Sequence, residues 1–134
     1  MRRLLPLAVL ALALAGCGGG KVVGPVPVTV IGTVAQGPSG AAAGKALFTT
    51  NGCGGCHTYK PAASTGKVGP DLDNLAADAK KANRGSVDAY TKESIENPDA
   101  YVAPGFPKGV MPAFKGKLTD SQVNDLVAFL TTKS

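Results

Sequence analysis

One histidine, His57, three cysteines and two methionines are all the imidazole and sulfur ligands in this 134-residue chain. A closed structural zinc site takes four ligands, usually Cys and His. Beyond residue 40 only Cys53, Cys56 and His57 remain, so such a site fails by count. No stretch after residue 40 alternates apolar and polar residues with the period of two that marks a strand. A sheet protein is therefore not expected, and a thioredoxin-type dithiol lacks the βαβ pattern it should sit near. The longest apolar run, Leu4 to Ala15 broken by Pro6, is too short to cross a bilayer as a stable helix. No internal repeat is visible. The formal charge of +5 forms no dense basic face of the kind that binds nucleic acid. No nucleophile–base pair or second metal cluster is evident, which disfavours catalysis.

What is present begins with the first residues. Arg2 and Arg3 precede the apolar run, the layout of an export signal. The run ends in Leu14-Ala-Gly-Cys17, which resembles the lipobox at which bacterial lipoproteins are cut and lipidated on cysteine. The expectation is a signal peptide over residues 1–16 and a lipidated Cys17 as the new N-terminus. An ordinary signal peptide, or a short buried helix with a chance cysteine, is the alternative. Without Arg2 and Arg3 the chain carries 12 basic and 9 acidic residues, a formal +3. Export places it in an oxidising compartment. Residues 17–40 are rich in Gly and Pro, and Pro25 and Pro27 interrupt a run of valines. They read as a flexible linker with a reach of roughly 25 Å. An edge strand through Val28, Val30 and Ile31 is the competing reading.

Residues 41–134 form the domain. So short a chain makes a small core and often needs a staple or a cofactor. Its periodicity is helical. Ala42–Thr50 places Gly44, Leu47 and Phe48 on one face. Ser86 caps a second helix that stops before Pro98. Thr119 and Gln122 form a capping box ahead of Val123, Leu126, Val127 and Leu130, with Phe129 flanking that stripe. A weaker helix is expected within Leu72–Ala82. Loops rich in Gly and Pro join these segments.

The stretch "NGCGGCH", Asn51 to His57, carries the chemistry. A plain Cys53–Cys56 disulfide is possible, but it leaves His57 without a role. Cys-x-x-Cys-His is the attachment pattern of c-type haem. Two thiols three residues apart add across the two vinyl groups of one porphyrin, and the adjacent imidazole then lies under the iron. Met111 remains once Met1 leaves with the signal. It sits in "KGVMPAF", a Gly/Pro loop rather than an apolar helical stripe, and thioether sulfur is a common ligand of electron-transfer haems. An open or water-bound sixth position is the alternative.

The chain resembles the bacterial class I monohaem cytochromes c over nearly all of residues 41–134. The resemblance is carried by "GKALFTTNGCGGCH", "KVGPDL", "NPDAYVAPGFPKGVMPAF" and "LTDSQVNDLVAFL". The last two also look like the cytochrome domain attached to subunit II of some haem–copper oxidases. It implies an all-α fold, a small bundle around one covalently attached haem c. It implies a crossing of the first and last helices, with Gly44 and Phe48 against the region of Leu126 and Phe129. It implies His57 and Met111 as the axial iron ligands, with Pro70 offering its carbonyl to the His57 Nδ1 proton. Tyr101, and less specifically Tyr59 and Arg84, are candidates for bonding the haem propionates.

The expected function is therefore electron transfer rather than catalysis. The protein would be tethered through Cys17 to the outer face of the cytoplasmic membrane, facing the periplasm or cell surface. It would act as a monomer and exchange electrons with a redox protein or a respiratory complex such as a terminal oxidase. A gas sensor or enzyme with a labile sixth ligand is the rival. Charge suggests how a partner docks. Residues 45–70 carry a net +3 and residues 100–118 a net +3, while residues 71–99 carry −3. The segments holding His57 and Met111 are purely basic, which would steer an acidic partner to the haem edge and leave the acids on the far side.

Overall fold

In a computed structural model that describes residues 39–132, four helices form the framework of the domain. They are α1 (Ala41–Thr50), α2 (Leu75–Ala82), α3 (Val87–Glu96) and α4 (Asp120–Thr131). Residues 1–38, and with them the expected signal peptide, Cys17 and nearly all of the linker, lie outside the described residues.

The crossing of α1 and α4 organises the bundle. Gly44 is buried in it, and a Cβ placed there would lie 2.0 Å from the Asp125 carbonyl oxygen and 2.6 Å from the Phe129 Cβ. Glycine inside a helix costs about 1 kcal/mol relative to alanine. Here the bare backbone lets the two helices touch. The start of α1 is also fixed from α4, because the Gly40 N–H donates to Asp125 Oδ1 at 2.6 Å. That bond satisfies one backbone donor near the helix start and puts a carboxylate near its positive end. The start of α4 is self-contained: Thr119 Oγ1 accepts from the Gln122 N–H, and Gln122 Oε1 accepts from the Thr119 N–H.

Around this crossing Phe48, Tyr59, Ile95, Val123, Leu126, Val127 and Phe129 form the main core. Phe48, Tyr59 and Phe129 meet with ring centroids 5.2–6.0 Å apart, two of the three pairs edge to face. The α4 stripe buries Val123, Leu126 and Val127 as expected and widens at its end. Phe129 is the buried member, while Leu130 is half-buried and turns toward the cleft described below. The reason is that α4 packs against α1 on one side and α3 on the other, so its apolar surface is wider than one line. A smaller cluster of Leu75, Ala79 and Tyr90 joins α2 to α3.

One short sheet was not expected. Thr58–Tyr59 pair antiparallel with Ser64–Thr65 around a 3₁₀ turn at Lys60–Ala62. Two residues per strand are too few to leave an alternating pattern, and the fold remains all-α in character.

Candidate functional site

The end of α1 is made by Asn51, whose Nδ2 donates to the Leu47 carbonyl at 2.8 Å, and by Gly52 in the left-handed region at φ 70°. The chain then enters a 3₁₀ turn, Cys53–Gly55. The Cys56 and His57 N–H groups both donate to the Cys53 carbonyl, at 3.2 and 3.0 Å. This turn sets Cys53, Cys56 and His57 along one wall of an apolar cleft. Cys53 is half-buried and Cys56 exposed, with no disulfide between them. Burial, more than the neighbouring Cys56, pushes the Cys53 thiol above its ordinary value, while its own backbone opposes the shift.

His57 is 8% exposed, and its Nδ1 lies 2.8 Å from the Pro70 carbonyl oxygen. A carbonyl can only accept, so Nδ1 carries the proton and Nε2 keeps a lone pair. Nε2 has no hydrogen-bond partner among the described residues, yet no fully buried side-chain nitrogen or oxygen there is left unpaired. Nε2 therefore opens on the cleft.

The loop that delivers Pro70 depends on two glycines that sequence reasoning passed over. A Cβ on Gly69 would sit 2.5 Å from His57 Cε1, and one on Gly66 would sit 2.6 Å from the Cys56 carbonyl carbon. The Gly69 N–H donates to the Cys56 carbonyl at 2.8 Å. The motif "KVGPDL" showed a turn, but not that the turn presses on the imidazole.

The loop of residues 101–118 supplies another part of the cleft lining. Met111 is half-buried and lines the cleft with Pro112 and Val110. The chain thus brings Met111 into the same cleft as Cys53, Cys56 and His57, 54 positions after the histidine. Tyr101 also lines it, with its ring edge-on to Tyr90 at 6.0 Å and the Arg84 guanidinium 5.8 Å above it.

Tyr59 and Arg84 are not where a propionate-binding role would put them. The Tyr59 hydroxyl donates to the Phe129 carbonyl at 2.9 Å, inside the α1–α4 core, because the pairing of Thr58–Tyr59 with Ser64–Thr65 turns the ring inward. Arg84 holds both carboxylate oxygens of Glu93, at 2.6 and 2.5 Å, and does not line the cleft. That pair holds the Glu93 carboxyl below the usual range.

Three hydroxyl-bearing α3 residues beside Ile95 were missed as cleft lining: Tyr90, Thr91 and Ser94. Thr91 Oγ1 donates back to the Val87 carbonyl and Ser94 Oγ to that of Tyr90, so both of these hydroxyls are paired within the helix. Spacing at i, i+1 and i+4 was the available signal, masked by their polarity. The segregation of charge is also less clean than expected. The ionisable acids lining the cleft are Asp78 and Asp99, both from the acidic segment, and no lysine lines it. Lys60 is drawn off toward Asp73 at 3.7 Å.

The cleft holds about 1460 Å³ of empty space counted to its open mouth. Two thiols, an imidazole and a thioether that line one apolar cleft are a donor set that fits a c-type haem. Comparison with known proteins agrees. The Cytochrome c family profile matches residues 41–134. A curated relative, cytochrome c6 of Leptolyngbya boryana, is 33% identical over 94 residues, covering 70% of this chain and 93% of its own. The chain belongs to the cytochrome c family, whose members transfer electrons through a covalently bound c-type haem.

Proposed function

We propose that the protein is a membrane-tethered carrier of single electrons, with haem bound through Cys53 and Cys56 and its iron ligated axially by His57 and Met111. The observation that carries this reading is the Nδ1–Pro70 bond, which leaves Nε2 open to a cleft that Met111 also lines. A c-type haem with both axial positions filled exchanges electrons and offers no site to a substrate. The residues around it hold the geometry. Pro70 fixes the imidazole and strengthens it as a donor. Met111 supplies a soft sulfur that favours the reduced state. Tyr101, which lines the cleft, offers its hydroxyl to a haem propionate. No role as an enzyme is proposed.

The anchor is Cys17, freed by removal of residues 1–16, with residues 17–40 as the tether. This places the domain on the outer face of the cytoplasmic membrane, in the periplasm or at the cell surface. The partner is a respiratory complex such as a terminal oxidase. Exposed Val68 and Val110, 53% and 49% exposed, give the cleft mouth an apolar rim. Lys67 and Lys108 lie close by in sequence, and both are exposed. A small apolar contact with basic flanks fits a transient interface below roughly 1,200 Å² with an acidic patch.

The test is optical. The ferrous holoprotein should refuse carbon monoxide, and the ferric form should show the weak far-red band of a sulfur–iron bond. Ready binding of carbon monoxide by the unaltered protein would instead make it a sensor or enzyme with a labile ligand.

A further inference from the structure

Residues 107–113 carry Met111 to the cleft, and their backbone has little support. The chain is tied just before them, where the Phe106 N–H donates to the Ala103 carbonyl at 3.2 Å. It is tied again just after them, where the Phe114 N–H donates to the Ile95 carbonyl at 3.1 Å. Pro107 and Pro112 have no N–H to give. Among the described residues one backbone hydrogen bond donated from the segment between ties it to the rest of the domain: the Gly109 N–H donates to Asp99 Oδ1 at 2.9 Å. Gly109 adopts φ 77°, which glycine alone reaches without strain.

Asp99 is itself firmly placed. It sits in the 3₁₀ turn Pro98–Ala100 directly after α3, where Pro98 is buried and the Ala100 N–H donates to the Asn97 carbonyl at 3.0 Å. A carboxylate acceptor makes a stronger bond than a neutral one. A loop with few backbone bonds opens locally at low free energy. The bond to Gly109 therefore bears on how much of the time Met111 stands at the cleft wall.

The geometry points to Asp99 as a positioning residue for Met111: its carboxylate pins Gly109, two residues upstream, and holds the methionine loop closed over the cleft. This rests on the proposed role of Met111 as an axial ligand. Neither ligand spacing nor the attachment motif singles out Asp99, which from sequence is one of several acids between the two ligand segments.

The experiment compares holoprotein carrying Asp99→Ala, which removes the acceptor, with Asp99→Asn, which keeps an oxygen acceptor without the charge. Asp99→Ala should take up carbon monoxide at least about tenfold faster than the unaltered protein, and Asp99→Asn should stay within about threefold of it. The far-red band should bleach at lower temperature in Asp99→Ala. The Gly109 amide should exchange with solvent about tenfold faster there, while amides of α1 and α4 keep their rates. An unchanged carbon monoxide rate in Asp99→Ala overturns the inference. So does equal acceleration of the α1 and α4 amides, which would mean a general loss of stability, or an Asp99→Asn variant as open as Asp99→Ala. If the unaltered protein already binds carbon monoxide freely, the Met111 reading falls and takes this inference with it.

Discussion

At Gly69 a missing side chain decides where an imidazole points. The His57 ring lies against this bare Cα, with the Pro70 carbonyl as its hydrogen-bond acceptor. A methyl group there would meet ring atoms at 2.5–2.9 Å, so the ring must shift. We expect Gly69→Ala to destabilise the holoprotein by about 1–3 kcal/mol. It should also move the Nδ1 proton resonance of the reduced protein, because the bond to Pro70 stretches. A variant with an unmoved resonance would mean that the loop yields instead of the ring. The Pro70 acceptor was expected from the family resemblance, but the contact at Gly69 was not legible in the sequence. His57 and the two cysteines were found because their spacing is dictated by covalent chemistry. The glycines that seat the ring are dictated by a contact between segments ten or more residues apart.

Helix α1 shows the same division. Its span was expected from Ala42 and begins at Ala41, and its buried face includes Gly44 and Phe48 as periodicity indicated. What periodicity could not give is the 2.0 Å that separates a Gly44 Cβ from the backbone of α4. Two effects oppose each other in Gly44→Ala. Helix propensity gains about 1 kcal/mol, whereas forcing a methyl against backbone costs typically 1–3 kcal/mol and sometimes more. The clash is with a carbonyl that cannot rotate away, so the second effect wins. Urea unfolding should show a net loss of about 1–2 kcal/mol, and a variant more stable than the parent would contradict the close crossing. In α4 the capping box and the stripe were readable because both are local patterns. The turn of Leu130 toward the cleft was not, because it depends on which neighbours α4 meets.

For the whole molecule, pH and charge give the clearest tests. Burial, more than nearby acids, raises the phenol pKa of both Tyr59 and Tyr90 above 10. The folded state then binds protons that the unfolded state releases. Stability from these groups is complete below pH 10 and is lost as pH rises through the higher folded values. Urea unfolding should therefore weaken above about pH 10, and replacing Tyr90 by Phe should flatten that limb. An unaltered alkaline limb would assign the loss to other groups.

Charge bears on partners at this same scale. Electron transfer to an acidic acceptor should slow steeply as ionic strength rises, and Lys108→Glu with Lys115→Glu and Lys117→Glu should flatten or reverse the trend. Indifference to both would leave the apolar rim of Val68 and Val110 as the docking surface. Tethering is tested by Cys17→Ser, which should release the domain to the soluble fraction with its spectrum intact. An unmodified, soluble parent protein would point to ordinary secretion.

The sequence by itself determined the cofactor, the helical class and the candidate ligands. Cys53, Cys56 and His57 are neighbours along the chain, Met111 has no rival past residue 40, and helix periods and caps act within a few residues. The tertiary structure alone decided what surrounds those ligands. Tyr59 turned from the cleft into the core, Arg84 was taken by Glu93, Asp78 and Asp99 came to line the cleft, and Gly66 and Gly69 became seats for the attachment turn. Each of these depends on contact between distant segments, and burial and hydrogen-bond partners exist only once the chain has closed on itself.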